Sequence, residues 1–236
     1  MQVNNLTKKY GELKAVDAIS FDVAPGEIFA LIGPNGAGKS TTLKMLSTIL
    51  RPTSGTASIY GMDIEKNPEK VRKLISYLPE EAGAYKNLSG REYLEFMAGL
   101  YAENSNDAKQ YLEFAENITE LKGRLKDKVK SYSKGMARKL LLARTVMTKP
   151  KLAILDEPTS GLDVVNALEI RTTVRHLAKE GMTVLLSSHN MLEIEFLSDR
   201  VGIIYGGKLL QIGTANELKK KYNAKNLEEV FINIIK

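Results

Sequence analysis

The sequence predicts an α/β fold: a mainly parallel sheet, an N-terminal antiparallel β subdomain and a helical subdomain inserted into the chain. Three observations carry this. Short continuous apolar runs such as "EIFALIG", "KLAILD" and "TVLLSS" alternate with amphipathic stretches, as buried parallel strands alternate with helices. The first 30 residues read as short strands joined by turns. From about Asn87 to Lys149 strand signals vanish and helical spacing takes over.

Taken in order, "VDAISFDV" alternates apolar and polar residues, as a half-buried strand does, and "APGE" supplies a turn. "EIFALIG" then reads as a buried strand ending at Gly33, followed by a glycine-rich loop. A helix is expected from about Ser40 to Leu50, closed by "RPTSG", before "TASIYGMDI" returns to strand character. "LSGREYLEFMAGLY" and "AKQYLEFAENI" have helical spacing. In "SYSKGMARKL" Ser133 is a good N-cap, Met136, Leu140, Ala143 and Met147 form an apolar stripe, and Pro150 closes the helix. Lys134, Arg138 and Lys139 make this helix start basic, where acids are usual, and mark it as half of an anion site. "KLAILDEP" is a strand, a helix follows from Val164 to Glu180, then the strand "MTVLLSSH". "DRVGIIYGGKLLQIG" is a hairpin turning at Gly206–Gly207, and "TANELKKKY" and "NLEEVFINII" are helical. The expected organisation is one domain over residues 1–236: a core with its β subdomain (1–86 and 150–236) and a helical subdomain (87–149).

With 236 residues, 43% of them hydrophobic, the chain suits one good-sized domain. A net charge of +6 suits an anionic partner. The absence of cysteine excludes disulfides, thiolate metal sites and cysteine nucleophiles. The apolar runs are too short to span a bilayer and no basic-then-apolar leader opens the chain, so the expected compartment is the cytoplasm. The basic runs Lys8–Lys9 and Lys219–Lys221 lack the interleaved aromatics of single-strand binders, and no nucleic acid is expected as a partner.

"GPNGAGKS" (Gly33, Pro34, Asn35, Gly36, Ala37, Gly38, Lys39, Ser40) fits the phosphate-loop pattern G-x-x-x-x-G-K-[ST] at every fixed position. Multivalent phosphate needs donors on several sides. Glycines let backbone N–H groups turn inward, Lys39 brings a mobile cation to the β and γ oxygens, and Ser40 offers a hydroxyl to Mg²⁺. The helix N-terminus behind the loop adds a positive dipole. The strand before and the helix after give the loop its required context.

"LAILDEPTSGLD" puts Asp156 and Glu157 at the end of a buried strand, where isolated carboxylates are costly. A Mg²⁺–phosphate complex gives them a purpose: Asp156 holds the metal and Glu157 orients and polarises an attacking water, which favours hydrolysis. His189 follows "TVLLSS", at the carboxyl end of a strand where open α/β sheets place ligands. It can donate to the γ-phosphate or to the water. His176 lies in a polar helical stretch and reads as solvated.

These segments in this order, "GPNGAGKST", "YSKGM", "LAILDEPTSGLD" and "SSH", resemble the ATP-binding subunits of ABC transporters over essentially the whole chain. "LEEVF" and "YLPEE" look most like single-domain subunits serving export permeases. The resemblance implies a P-loop NTPase core with ATP and Mg²⁺ as cofactors. It adds Thr41 to the nucleotide loop, matches Tyr10 in "KKYG" to an adenine-stacking aromatic, Glu157 to the catalytic base and His189 to a switch histidine. Asp163 in "SGLD" matches a loop that communicates across a dimer. Ser133, Lys134, Gly135 and Met136 occupy the signature turn that contacts the γ-phosphate held by the other subunit, implying a two-fold dimer, with itself or a homologous subunit, with two ATP molecules in its seam. Two departures stand out. Glu80 replaces the family's usual glutamine after "LP", beside Mg²⁺, and Lys134 and Met136 replace a glycine and a glutamine of the signature.

The leading expectation is therefore an ATPase subunit, peripheral on the inner face of the cell membrane, that drives a separate integral membrane permease. A soluble relative acting on nucleic acid or the ribosome is the alternative. Such relatives usually carry two ATPase units or a long coiled-coil insertion, which this chain lacks. A P-loop kinase leaves Glu157 and "YSKGM" unexplained.

Overall fold

Three central strands, β3 (Ile28–Ile32), β7 (Leu152–Asp156) and β8 (Thr183–Ser188), are buried along their whole length. Their unbroken apolar character follows from cover on both faces. Phe29 and Leu31 of β3 point into one core, and Ile28, Ala30 and Ile32 into the other. Leu152 and Ile154 of β7 repeat the first direction, Ala153 and Leu155 the second. These contacts come from a computed structural model that describes all residues, Met1–Lys236.

β6 (Ile75–Leu78) joins β7 on one flank, and β9 (Arg200–Tyr205) and β10 (Lys208–Gly213) lie on the other, giving the order β10-β9-β3-β8-β7-β6. All neighbours are parallel except β9 and β10, the hairpin that turns at Gly206–Gly207. A second, antiparallel sheet contains β1 (Gln2–Tyr10), β2 (Leu13–Asp22), β4 (Ser54–Ile59) and β5 (Met62–Asp63), in the order β2-β1-β4-β5. One core lies between the two sheets and encloses α1 (Lys39–Leu46). The other lies between the parallel sheet and the remaining helices.

α1 stops at Leu46 rather than Leu50: Ser47 caps it, and Thr48 adopts φ +62°, which takes the chain out of the helix. α2 (Pro68–Arg72) and β6 carry too few residues for their periodicity to register in sequence. The helical segment contains α3 (Gly90–Tyr101), α4 (Ser105–Thr119), two short 3₁₀ turns and α5 (Lys134–Val146). α6 (Val164–Lys179), α7 (Met191–Glu195), α8 (Ala215–Lys221) and α9 (Leu227–Ile235) complete the chain. No helix is long and apolar enough to cross a membrane.

α3 opens on a reciprocal cap. The Glu92 N–H donates to Ser89 Oγ at 3.2 Å, and the Ser89 N–H donates to the Glu92 carboxylate at 2.6 Å. The Ser89 amide, with Lys128 at 3.2 Å, holds the Glu92 carboxyl down at about 2. Because the folded value lies below the ordinary 4.5, this stabilisation is whole above 4.5 and is lost as pH falls toward about 2. Glu92→Gln is expected to lower the thermal midpoint at neutral pH, with the gap to wild type closing across that acid window. Circular-dichroism melts over a pH series check this, and a gap that ignores pH rejects it.

Candidate functional site

The glycine-rich loop leaves β3 at Gly33 and enters α1 at Lys39. Gly36 and Gly38 have φ +79° and +107°, conformations that L side chains rarely adopt, and these turns wrap the backbone around a concave space. A Cβ on Gly33 would run into the backbone of Ile204, so glycine there also lets β9 approach. The β9–β10 hairpin buttresses the loop from outside. The Gly207 N–H donates to Ala37 O (3.1 Å), while the Asp17 N–H of β2 donates to Gly207 O (2.8 Å).

Asn35, Gly36, Ala37, Gly38, Lys39, Ser40 and Thr41 line this cavity with Ala15, Glu80 and Glu157. Lys39 is buried, and its ammonium donates to the carbonyls of Gly33 (2.7 Å) and Pro34 (3.2 Å). It also lies 3.4 Å from Glu157 Oε1. Ser40 Oγ donates to Asp156 Oδ1 (2.9 Å).

The two carboxylates at the end of β7 are buried and differently used. Asp156 accepts from three hydroxyls: Ser187 at 2.6 Å and Ser40 on Oδ1, Tyr77 at 3.2 Å on Oδ2. Burial, reinforced by the Asp156 charge, pushes the Tyr77 hydroxyl pKa up, so it stays a donor. Glu157 turns out of the strand at φ +48°, a left-handed conformation costing a non-glycine residue roughly 1–2 kcal/mol. Ser187 Oγ accepts from its N–H (3.0 Å). Its Oε2 is paired with His189 Nδ1 at 2.9 Å. Its Oε1 is buried without a hydrogen-bond partner, 3.4 Å from Lys39 Nζ, and Glu157 as a residue lines the phosphate-loop cavity.

A triphosphate with Mg²⁺ fits this donor set. A hydroxyl and a carboxylate oxygen already side by side are hard ligands of the kind Mg²⁺ takes alongside phosphate oxygens and water.

The predicted residues thus fall into groups. Gly33–Thr41, Asp156, Glu157, His189 and Glu80 converge, with Glu80 exposed on the rim and its Oε1 3.4 Å from Ser160 Oγ. Tyr10 stands at the tip of the β1–β2 hairpin, half exposed, with the Lys8 ammonium 5.3 Å from its ring centroid, and does not line the cavity. Ser133, Lys134, Gly135 and Met136 do not line it either. Ser133 caps α5 by accepting from the Met136 N–H (3.2 Å). Gly135 is packed so closely on Asn166 that a Cβ would displace that side chain. Asn166 in turn donates to Asp163, the N-cap of α6, through its backbone (3.0 Å) and side chain (2.6 Å). Those two bonds hold the Asp163 carboxyl below its usual range.

Two of the three cations at the start of α5 are engaged within the chain. Lys139 pairs with Glu169 at 2.6 Å, and Arg138 is buried against backbone carbonyls, leaving Lys134 as the exposed cation. Burial lowers the Arg138 pKa, with the Glu80, Asp156 and Glu157 charges opposing that shift. Ser187, Tyr77 and Arg138 were not legible as site residues. Their partners come from distant segments, and nothing local announces them.

Comparison with known proteins agrees with this geometry. The chain is 40% identical over 218 residues to the linearmycin resistance ATP-binding protein LnrL of Bacillus subtilis, covering 92% of this chain and 70% of that one. It is 41% identical over 232 residues to the bacitracin transport ATP-binding protein BcrA of Bacillus licheniformis, covering 97% and 74%. A solved ATP-binding subunit of an ABC transporter superposes with a TM-score of 0.86 at 29% identity, covering 100% of this chain and 99% of the other. The family described as ABC transporter matches residues 16–160, more than half the chain, and by that match and these relatives the chain belongs to the ABC transporter family.

Proposed function

We infer that this chain is an ATP-binding and ATP-hydrolysing subunit that energises an export-type transporter through a separate membrane permease. One observation carries it above the others: a buried carboxylate oxygen, Glu157 Oε1, without a hydrogen-bond partner, bordering a phosphate loop beside Lys39. An acceptor so placed can hold an attacking water in line with a γ-phosphate. Lys39 exchanges loop carbonyls for phosphate oxygens. Ser40 and Asp156 hold Mg²⁺, which neutralises phosphate charge when bound, and Glu80 adds a rim carboxylate. His189 keeps Glu157 in place through Nδ1. It can also donate to phosphate through Nε2 only as the imidazolium. Tyr10, at its hairpin tip, is free to stack on adenine.

The turn Ser133–Met136 lies outside the chain's own cavity, which supports its service to a second copy or a homologous subunit. Resistance and transport relatives favour a permease partner at the inner face of the membrane over nucleic acid or the ribosome. The helical insertion near Glu80–Arg91 is the segment we assign to passing motion to the permease. Phosphate release measured against protein concentration tests the shared site. Turnover per chain is expected to rise as dimers form, and full turnover in a strictly monomeric sample at high dilution rejects the reading.

A further inference from the structure

Arg138 lies on α5, four residues after Lys134, and turns inward. Its Nε donates to Pro158 O (2.8 Å), Nη2 to Asp156 O (2.9 Å) and Glu157 O (2.8 Å), and Nη1 to Pro79 O and Glu80 O (both 3.2 Å). A guanidinium has five N–H donors, and here five carbonyls engage them. None of those bonds goes to a side chain. Three of the carbonyls are consecutive and bracket the left-handed turn at Glu157. The other two belong to the loop that carries Glu80. Ser187 holds the Glu157 amide from the opposite side.

A strained non-glycine turn persists only where its surroundings over-determine it, and these bonds supply that restraint. The same guanidinium ties the Glu157 turn and the Glu80 loop to the helix whose first turn begins at Ser133. A displacement of that helix is therefore delivered to both carboxylate-bearing segments at once.

We propose that Arg138 is a positioning residue for ATP hydrolysis, fixing the backbone that aims Glu157 and Glu80 and coupling it to α5. The proposal rests on the reading of Glu157 as the carboxylate that orients water. It does not place Arg138 in contact with nucleotide. A planar fork is required: lysine keeps the charge but presents three donors from one point, and cannot span five carbonyls on two loops.

The test compares Arg138→Lys and Arg138→Gln with wild type, each also combined with Glu157→Gln. Turnover is expected to fall about 10- to 100-fold in both single variants, while affinity for a fluorescent ATP analogue stays within about threefold, the split that marks lost transition-state positioning. In the Glu157→Gln background the same substitutions are expected to change residual turnover less than about twofold, because a residue acting through Glu157 has nothing left to position. Independent, multiplying losses overturn the proposal, as does affinity that falls in step with turnover. If Glu157→Gln is inactive but Arg138→Lys turns over at the wild-type rate, the proposal alone falls. If Glu157→Gln itself keeps wild-type turnover, the reading beneath it falls as well. Should both Arg138 variants fail to fold, the residue is a staple of the fold and the proposal is overturned.

Discussion

Glu157→Gln is expected to cut ATP turnover by roughly 10²–10⁴-fold, the range over which a positioned general base contributes, while leaving ATP binding intact. The substitution keeps the shape of the side chain and an oxygen that can pair with His189 Nδ1, now at 2.9 Å. It keeps the Ser187 bond to the backbone N–H. What it removes is the negative charge at Oε1, the atom without a hydrogen-bond partner. Removing a carboxylate beside a γ-phosphate also relieves repulsion, so the ATP-bound dimer is expected to persist longer. Phosphate release under single-turnover conditions, paired with gel filtration in ATP, reads both effects. Turnover within a few-fold of wild type would move the base elsewhere.

Lys39→Ala is expected to fail at the earlier step. Hydrogen bonds involving a charged group contribute about 1.5–3 kcal/mol each, so loss of one phosphate contact weakens ATP binding roughly 10- to 150-fold. The variant should bind poorly at nucleotide concentrations that saturate wild type, and should form no ATP-dependent dimer. Folding suffers too. Lys39 and Glu157 are both buried 3.4 Å apart, and truncating one leaves the other charge without its cation. The thermal midpoint of Lys39→Ala should therefore drop. Calorimetric titration with ATP measures the first effect directly. Affinity within about threefold of wild type rejects it, since a single charge-assisted contact exceeds that.

The parts of this site that could be read from sequence are those whose chemistry is local. "GPNGAGKS" needs its glycines wherever the chain goes, and two of them take φ values reserved for glycine. Asp156 and Glu157 stand out because acids at the end of an apolar strand demand a reason. Ser133 caps a helix through a contact three residues away. Arg138 is the opposite case. Its five partners lie 18 to 20 and 58 to 59 residues distant, and all are carbonyls, which every residue possesses. On sequence it is one more cation on a basic helix. Ser187 is hidden likewise. A serine in a buried strand is unremarked until Asp156 and the Glu157 amide are seen on either side of it. α1 ended early for a comparable reason, because the φ of Thr48, not the apolar pattern, decides where it stops.

The resting place of the Lys39 ammonium bears on which anions this loop accepts. Its charge is already satisfied by two carbonyls and shadowed by Glu157. A newcomer must therefore offer more than the lysine gives up. A solitary sulfate or phosphate ion offers fewer oxygens for that exchange than a triphosphate does. A triphosphate chain brings several oxygens to the loop N–H groups, the lysine and Mg²⁺ together, and only that combined exchange is favourable. By asking for several contacts at once, the loop favours polyphosphates over the small anions that outnumber nucleotides in a cell.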